Sequence, residues 1–459
     1  MLGVGGRGDE DWRGALDGLR HRQDGPSNAE IGSFVSRLGL CGGLKNLGGS
    51  ELIDRLAALE RLKAAAAAEQ ARVQAEFAAL CEAGMDPRAA ALESKTGRSA
   101  ARAKERSAAA QIALARKVSP ARGARLLAMS KRLVSEMPRT LEALAGGHLS
   151  EDRAIAVAEG VEVLSPADRS AVDQELCGDP RRLEGLGDRS VQDAVRSCVD
   201  AIDDAAALAR IRKAESERRV TIRRLPDSMA KLTAILPIAQ AAAVGGALKR
   251  ATAEARAAGD HRTAGQVAAD TLVERVTGQA RADAVPLRVR LVMTAGSLFE
   301  GGREPALLEG YGTIAGPQAR AMVAAGAGSL AGAWLRRLYL NPATGELAAM
   351  EAKTRRFPRA LAEFIEIRDQ VCRTPYCDAP IRHIDHVVPV AAGGETSVEN
   401  GEGLCEACNH AKESVGWERA VVGSEGPEGT SGDIVTITPT GHEYFSPPPR
   451  LPGSERRVG

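Results

Sequence analysis

The chain has 459 residues, long enough for two or three domains with cores of their own. Hydrophobic residues make up 44% and charged residues 26%, an ordinary soluble balance in which no run approaches the apolar length that crosses a bilayer. The 61 basic and 60 acidic side chains leave a net charge of +1, which excludes a polycation that would bind nucleic acid through overall charge alone.

Aromatics are only 3%, and alanine and glycine are abundant, so Ala-rich helices are expected rather than a large β core. The first residues include Asp9, Glu10 and Asp11 and lack the apolar stretch of a signal peptide, so the expected location is the cytoplasm. Residues 1–50 are Gly-rich without a sustained period and are expected to form a poorly ordered leader, with a short helix near Ala29 to Leu38. From Glu51 to Ala83, Leu52, Leu56, Leu59, Leu62, Val73, Phe77 and Leu80 recur at three- and four-residue spacing, which predicts one long helix. Further helices follow to about residue 210. Their starts are marked by Ser119-Pro120, Met137-Pro138 and Ser165-Pro166, with proline just inside each helix.

Residues 101–140 hold ten Lys or Arg against Glu105 and Glu136, a local net of +8. Such a segment either lies along phosphates or forms a solvated helical face balanced by acidic neighbours.

After Ser216 the pattern turns to strand at Val220, Thr221 and Ile222, and again where Leu287, Val289, Leu291 and Met293 alternate with other residues. Helical stretches are expected between these, at about 229–258 and 264–279. Trp334 to Tyr339 and Leu347 to Met350, joined through Asn341-Pro342-Ala343-Thr344-Gly345, read as a hairpin. The fold class that follows is mainly α with a small α+β middle region. Its expected divisions are an Ala-rich helical domain over 51–215, the α+β region over 216–352, and a cysteine-rich module over 357–417. A Gly/Pro-rich tail over 418–459 would hold one hairpin, Ile434–Thr438 turning into His442–Phe445.

Four of the eight cysteines fall into two close pairs, Cys372 with Cys377 and Cys405 with Cys408. Clustered thiolates in a chain without a secretion signal point to metal before disulfide. Two such pairs can surround one tetrahedral zinc, and Cys405 and Cys408 share a face if a helix begins there. A unit of this size buries little surface, and a structural zinc adds apparent binding energy on the order of 10–16 kcal/mol.

Between the pairs lies Arg382-His383-Ile384-Asp385-His386-Val387-Val388-Pro389, followed by Gly393-Gly394 and Asn400. Asn409-His410-Ala411-Lys412 follows the last cysteine. Phosphodiester hydrolysis needs a base for water, a metal at the scissile phosphate and positive charge to place the backbone. His386 is the candidate base, because neutral imidazole accepts a proton near pH 7. Asp385 is a hard oxygen ligand suited to Mg²⁺, and Asn409 adds a second oxygen. Lys412 lies three residues on, on the same helical face, where it would neutralise a phosphate. Adjacent strand residues point to opposite faces, so Asp385 and His386 converge only at a twisted strand end or across a metal.

His386, Asn400 and Asn409 or His410, beside the paired cysteines, resemble the HNH endonuclease family with its ββα-metal fold. The resemblance implies a hairpin carrying Asp385 and His386, a loop carrying Asn400, and a helix from near Cys405 carrying Asn409. It implies that His386 is the general base, and that Asp385 and Asn409 bind the catalytic Mg²⁺ or Mn²⁺. Asn400 would orient the loop through backbone hydrogen bonds, and Arg382, His383, His410 and Lys412 would contact substrate. DNA is the implied partner, cut to leave a 5′-phosphate and a 3′-hydroxyl. The run from about Leu52 to Leu127 and the segment Asp270–Gly278 are similar to actinobacterial proteins that pair a helical domain of unknown function (the 222 class) with a C-terminal HNH module. The N-terminal helices are also a candidate surface for a homo-oligomer. The alternative reading is a zinc module that grips nucleic acid without cutting it.

Overall fold

Serine–proline pairs start helices where the sequence places them. Ser119 accepts a hydrogen bond from the Arg122 N–H and Ser165 from the Asp168 N–H, each followed by proline in the first turn. The computed structural model describes residues 26–39, 44, 47–83, 97–179, 181–202, 204–225, 229–279, 281, 291–308, 312–327, 357–422 and 433–449.

The helical part comprises α1 (Asn28–Gly39), α2 (Gly49–Glu82), α3 (Gly97–Ala115), α4 (Pro120–Ser135), α5 (Pro138–Ala145), α6 (Glu151–Gly160), α7 (Pro166–Cys177), α8 (Asp188–Ile202) and α9 (Asp204–Ser216). Helix α2 packs on α3, α4 and α5. It buries a stripe other than the one its leucines mark. Ala64, Ala67, Ala68, Ala71 and Ala78 are buried, while Leu52, Leu56, Leu59, Val73 and Leu80 stay exposed. Alanine lets helices approach closely, and the leucines of the first turns precede the packed part of the helix. Leu126, Leu133, Leu144, Val157, Leu176 and Val195 fill the main core.

Part of the basic run over 101–140 is neutralised within the helical part. Arg116 pairs with Glu151 and Arg125 with Glu159, and Lys131 lies 2.6 Å from Glu82 and 3.3 Å from Glu105. The Arg132 guanidinium donates to the Ala158 carbonyl at 2.5 Å. For Arg116, Arg125 and Lys131 the balanced-face reading fits, with most of the balancing acids supplied by neighbouring helices.

In the middle region β1 (Arg219–Arg224) pairs antiparallel with β2 (Ala230–Ile235). Residues 230–235 thus form a strand where the sequence predicts a helix. Pro237 instead caps the start of α10 (Ile238–Ala257) and favours extended backbone before it. Helix α11 (Ala264–Thr277) follows, opened by a Thr263/Gln266 capping box and closed by Gly278 at a φ of 72°. Then come β3 (Leu291–Val292), α12 (Ala295–Phe299), β4 (Ala306–Leu308), β5 (Gly312–Ile314) and α13 (Gly316–Ala327), with the three strands in one antiparallel sheet. The expected strand at Leu287–Val289 and the hairpin over 334–350 lie outside the described residues.

The C-terminal part runs α14 (Arg359–Asp369), β6 (His383–His386), β7 (Gly401–Leu404), α15 (Glu406–Lys412), β8 (Glu418–Val422), β9 (Asp433–Ile437) and β10 (Glu443–Ser446). Strands β6 and β7 form an antiparallel pair, and β9–β10 is the expected late hairpin. Strand β8 joins that hairpin to make a three-stranded sheet, so ordered structure continues past Trp417. Helix α15 rests on α3 and α4. The Trp417 indole donates to Ser107 at 2.8 Å, and Thr440 donates to Gln111 at 2.9 Å. These contacts seat the C-terminal module against the helical domain. Among the described residues no helix is long and apolar enough to cross a membrane.

Candidate active site

The four clustered cysteines come together as expected. All are buried, and their sulfurs lie within 4.8 Å of one another. Cys405 caps α15, accepting from the Cys408 N–H, so both thiols sit at the helix start. Hydrogen bonding from Cys377 pulls the Cys372 thiol down to about 7, while Cys377 and Cys408 are raised by their sulfur neighbours. Four thiols so placed ionise together only around a cation, and a closed Cys₄ set fits structural zinc.

A buried carboxylate braces this knuckle. Asp369, at the end of α14, accepts from Arg368 at 2.7 and 3.0 Å, from Arg373 at 3.1 Å, and from the Gly403 N–H at 2.7 Å. It ties α14 to the first cysteine pair and to β7. Sequence reasoning missed it, since its partners are fixed only by the fold.

Strand β6 alternates as a strand must. His383 and Asp385 share one face, and Ile384 and His386 the other. Ile384 packs with Leu361, Ile365 and Val398, while the His386 ring lies 4.4 Å from the Phe357 ring. His386 is the last residue of β6, and there the Asp385 carboxylate curls back. Its Oδ1 accepts from the His386 N–H at 2.9 Å and lies 3.9 Å from His386 Nδ1. Convergence at a strand end is thus how these neighbours meet.

His386 Nε2 is hydrogen-bonded to the Thr396 hydroxyl at 2.9 Å. Thr396 and Phe357 were not singled out from sequence, because neither has a fixed spacing to the histidine. Burial lowers the His386 pKa, with Asp385 opposing and Lys412 assisting, so the ring is held toward its neutral form. Gly401 faces His386 across the β6–β7 pair and leaves room for this packing. A Cβ there would lie 2.3 Å from Ile365 Cδ1 and 2.9 Å from Phe357 Cε1.

Asn400 clamps the loop after β6. Its Oδ1 accepts from the Val388 N–H at 2.8 Å, and its Nδ2 donates to the Val388 carbonyl at 3.0 Å and the Glu395 carbonyl at 2.8 Å. Gly394 passes so near that a Cβ would sit 1.9 Å from the Val388 carbonyl oxygen.

Lys412 departs from the role given to it by sequence. Its ammonium turns inward, its side chain is only 7% exposed, and it donates to Asp385 Oδ2 at 2.7 Å. It also donates to the His386 carbonyl and to Glu402 Oε1, the latter at 3.3 Å. It is therefore not displayed to a phosphate. Helical spacing put it near Asn409, but the tertiary contact with β6 decides where it points. Burial opposes ionisation of Asp385, yet Lys412 and the His386 N–H outweigh that, and its pKa is lowered. Arg382, His383 and His410 are exposed around this centre, with His410 3.9 Å from Glu406.

Asn409 carries an observation that bears on the metal. Its side-chain oxygen is buried and has no hydrogen-bond partner among the described residues. Asn409 lies on α15, which packs against β6, the strand bearing Asp385. An amide oxygen and an ionised carboxylate are hard-oxygen donors of the type that Mg²⁺ or Mn²⁺ takes.

A family model described as "Domain of unknown function (DUF222)" matches residues 56–369, about two thirds of the chain. The chain belongs to the DUF222 family. A second model, described as "HNH endonuclease", matches residues 370–414, which contain both cysteine pairs, β6, β7 and α15. The C-terminal module of this DUF222 protein is thus an HNH domain of nuclease type. A stretch of 91 residues, 19% of the chain, is 37% identical to Rv3776 of Mycobacterium tuberculosis, a protein described as uncharacterized, and covers 16% of that protein. No solved structure matches the chain.

Proposed function

We propose that the HNH module is a divalent-metal-dependent DNA endonuclease with His386 as its general base. The observation that carries this reading is the seating of His386, its Nε2 on Thr396 and its ring against Phe357, beside the Asp385 carboxylate on the strand against which the Asn409 helix packs. When Nε2 donates to Thr396, Nδ1 is the free lone pair that takes a proton from water. Burial lowers the pKa of this imidazole and so favours the neutral form that accepts a proton. A Mg²⁺ or Mn²⁺ held by Asp385 and Asn409 supplies Lewis-acid stabilisation of the phosphate and the leaving oxygen. Arg382, His383 and His410, exposed at the rim, contact backbone phosphates. Asn400 holds the loop that carries Thr396 and so fixes the base indirectly. Zinc on the four cysteines is structural.

The reading places the protein in the cytoplasm, where clustered thiols stay reduced. Exposed Ile53 and Leu56 on α2 form the surface through which two copies would pair. Incubating zinc-loaded protein with supercoiled plasmid tests the main claim. Nicking with Mg²⁺ or Mn²⁺ that stops on chelation is expected, and nicking indifferent to divalent ions contradicts it. A second reading, a zinc module that binds DNA without cutting, is favoured by one contact, the Lys412 ammonium on Asp385 Oδ2. DNA binding without nicking under all divalent ions would select it.

A further inference from the structure

Glu402 is a fully buried carboxylate that the chemistry above does not use. It lies on β7 directly opposite Asp385 on β6. Its Oε1 is 3.3 Å from Lys412 Nζ, the same ammonium that sits 2.7 Å from Asp385 Oδ2. Its Oε2 is 3.1 Å from Arg419 Nη2, an ion pair that is not aligned as a hydrogen bond. Burial pushes the Glu402 pKa up, and Arg419 and Lys412 oppose that push. A carboxylate with no solvent exposure is costly unless cations neutralise it, and here two reach it from α15 and β8.

One oxygen cannot serve an ammonium and a divalent cation equally, since the two cations repel at contact distance. Lys412 therefore has to leave Asp385 Oδ2 when that oxygen takes a metal. Solvent is not where it goes, because its side chain is enclosed. The only other carboxylate within its reach among the described contacts is Glu402. We infer that Glu402 is the second seat of the Lys412 ammonium, so that loading of a divalent cation at Asp385 shifts the ammonium from Asp385 onto Glu402. This rests on the reading of Asp385 as a metal ligand proposed above. Glu402 and Lys412 are then positioning residues that set the availability of Asp385. Arg419, five residues beyond the matched HNH segment, holds the second seat in place and makes strand β8 part of the working module.

The test is Mn²⁺ titration of the zinc-loaded full chain without DNA, read by the paramagnetic resonance signal of free Mn²⁺. Glu402→Gln removes the second seat and is expected to weaken Mn²⁺ binding by about 10–100-fold, the usual range for outer-sphere partners of a metal site. Lys412→Met removes the competitor and is expected to tighten binding. In the double variant the loss caused by Glu402→Gln disappears. Effects of opposite sign distinguish competition from simple damage to a buried network, which would weaken binding in both variants. Mn²⁺ binding by Glu402→Gln equal to wild type overturns the inference. If Glu402→Gln does not retain zinc, Lys412→Met decides alone: tighter binding supports the second seat, and equal or weaker binding refutes it. Asp385→Asn separates the two levels of the argument. If it binds Mn²⁺ as wild type does, the metal-ligand reading fails and the seat with it. If it loses Mn²⁺ while Glu402→Gln does not, the second seat alone is refuted.

Discussion

Asp385 and Glu402 face each other across the β6–β7 pair and share a single ammonium, that of Lys412. This arrangement joins the candidate metal ligand on one strand to a buried charge on the next. It also ties the last turn of α15 to the end of β6, where the His386 carbonyl accepts from the same ammonium. The same few polar contacts hold the module together and surround the candidate site.

Removal of the brace at Asp369 is expected to be severe. Asp369→Ala strips a carboxylate partner from Arg368 and Arg373 and leaves the Gly403 N–H without its acceptor. Breaking one side of such a buried network costs about 3–5 kcal/mol. Urea unfolding followed through the C-terminal module should show that loss, and a midpoint within error of wild type would contradict it.

Zinc is expected to hold the module together. Cys405→Ser removes both a ligand and the cap of α15. The purified variant should contain less than one zinc per chain and melt at lower temperature, and wild type treated with a strong chelator should behave alike. Full zinc content in the variant would remove Cys405 from the ligand set.

The Asn400 clamp predicts a loop effect. Asn400→Ala deletes three hydrogen bonds and leaves the half-buried Val388 N–H without its acceptor, a loss of about 2–3 kcal/mol. Hydrogen exchange at Val388 should speed up while exchange in α4 stays the same. Unchanged protection at Val388 would mean that the clamp does not hold the loop.

Phosphate contacts are expected at the rim rather than on the basic helices. Lys131 and Arg125 are engaged by Glu82, Glu105 and Glu159, so alanine at either should leave the salt dependence of DNA binding unchanged. Exposed Arg382 should behave differently, with Arg382→Ala reducing the salt slope by about one. The reverse pattern in a salt titration would return the interface to α3 and α4.

Much of the candidate site was legible because its residues stand at short spacings. The two cysteine pairs, Asp385-His386, Asn400 and Asn409 each carry their meaning locally. The late hairpin followed from alternation about a Pro-Thr-Gly turn, and the helix starts from Ser-Pro pairs. What could not be read depends on distance through space. Thr396, Phe357 and Asp369 act only once the chain has folded. Glu402 in a Gly-flanked strand reads as an ordinary polar residue, yet it is wholly buried. Strand β2 was read as helix because Lys231 to Ile235 satisfies either period, and only its pairing with β1 decides. The leucines of α2 suggested a core stripe, whereas close packing selected the alanines.

The most direct measurement of the central claim is chemical rescue at His386. Plasmid nicking by zinc-loaded His386→Gly should fall by about 100-fold or more, with zinc content unchanged, and should recover in part when imidazole is added. Wild-type nicking by His386→Gly, with no response to imidazole, would contradict the assignment of His386 as the base.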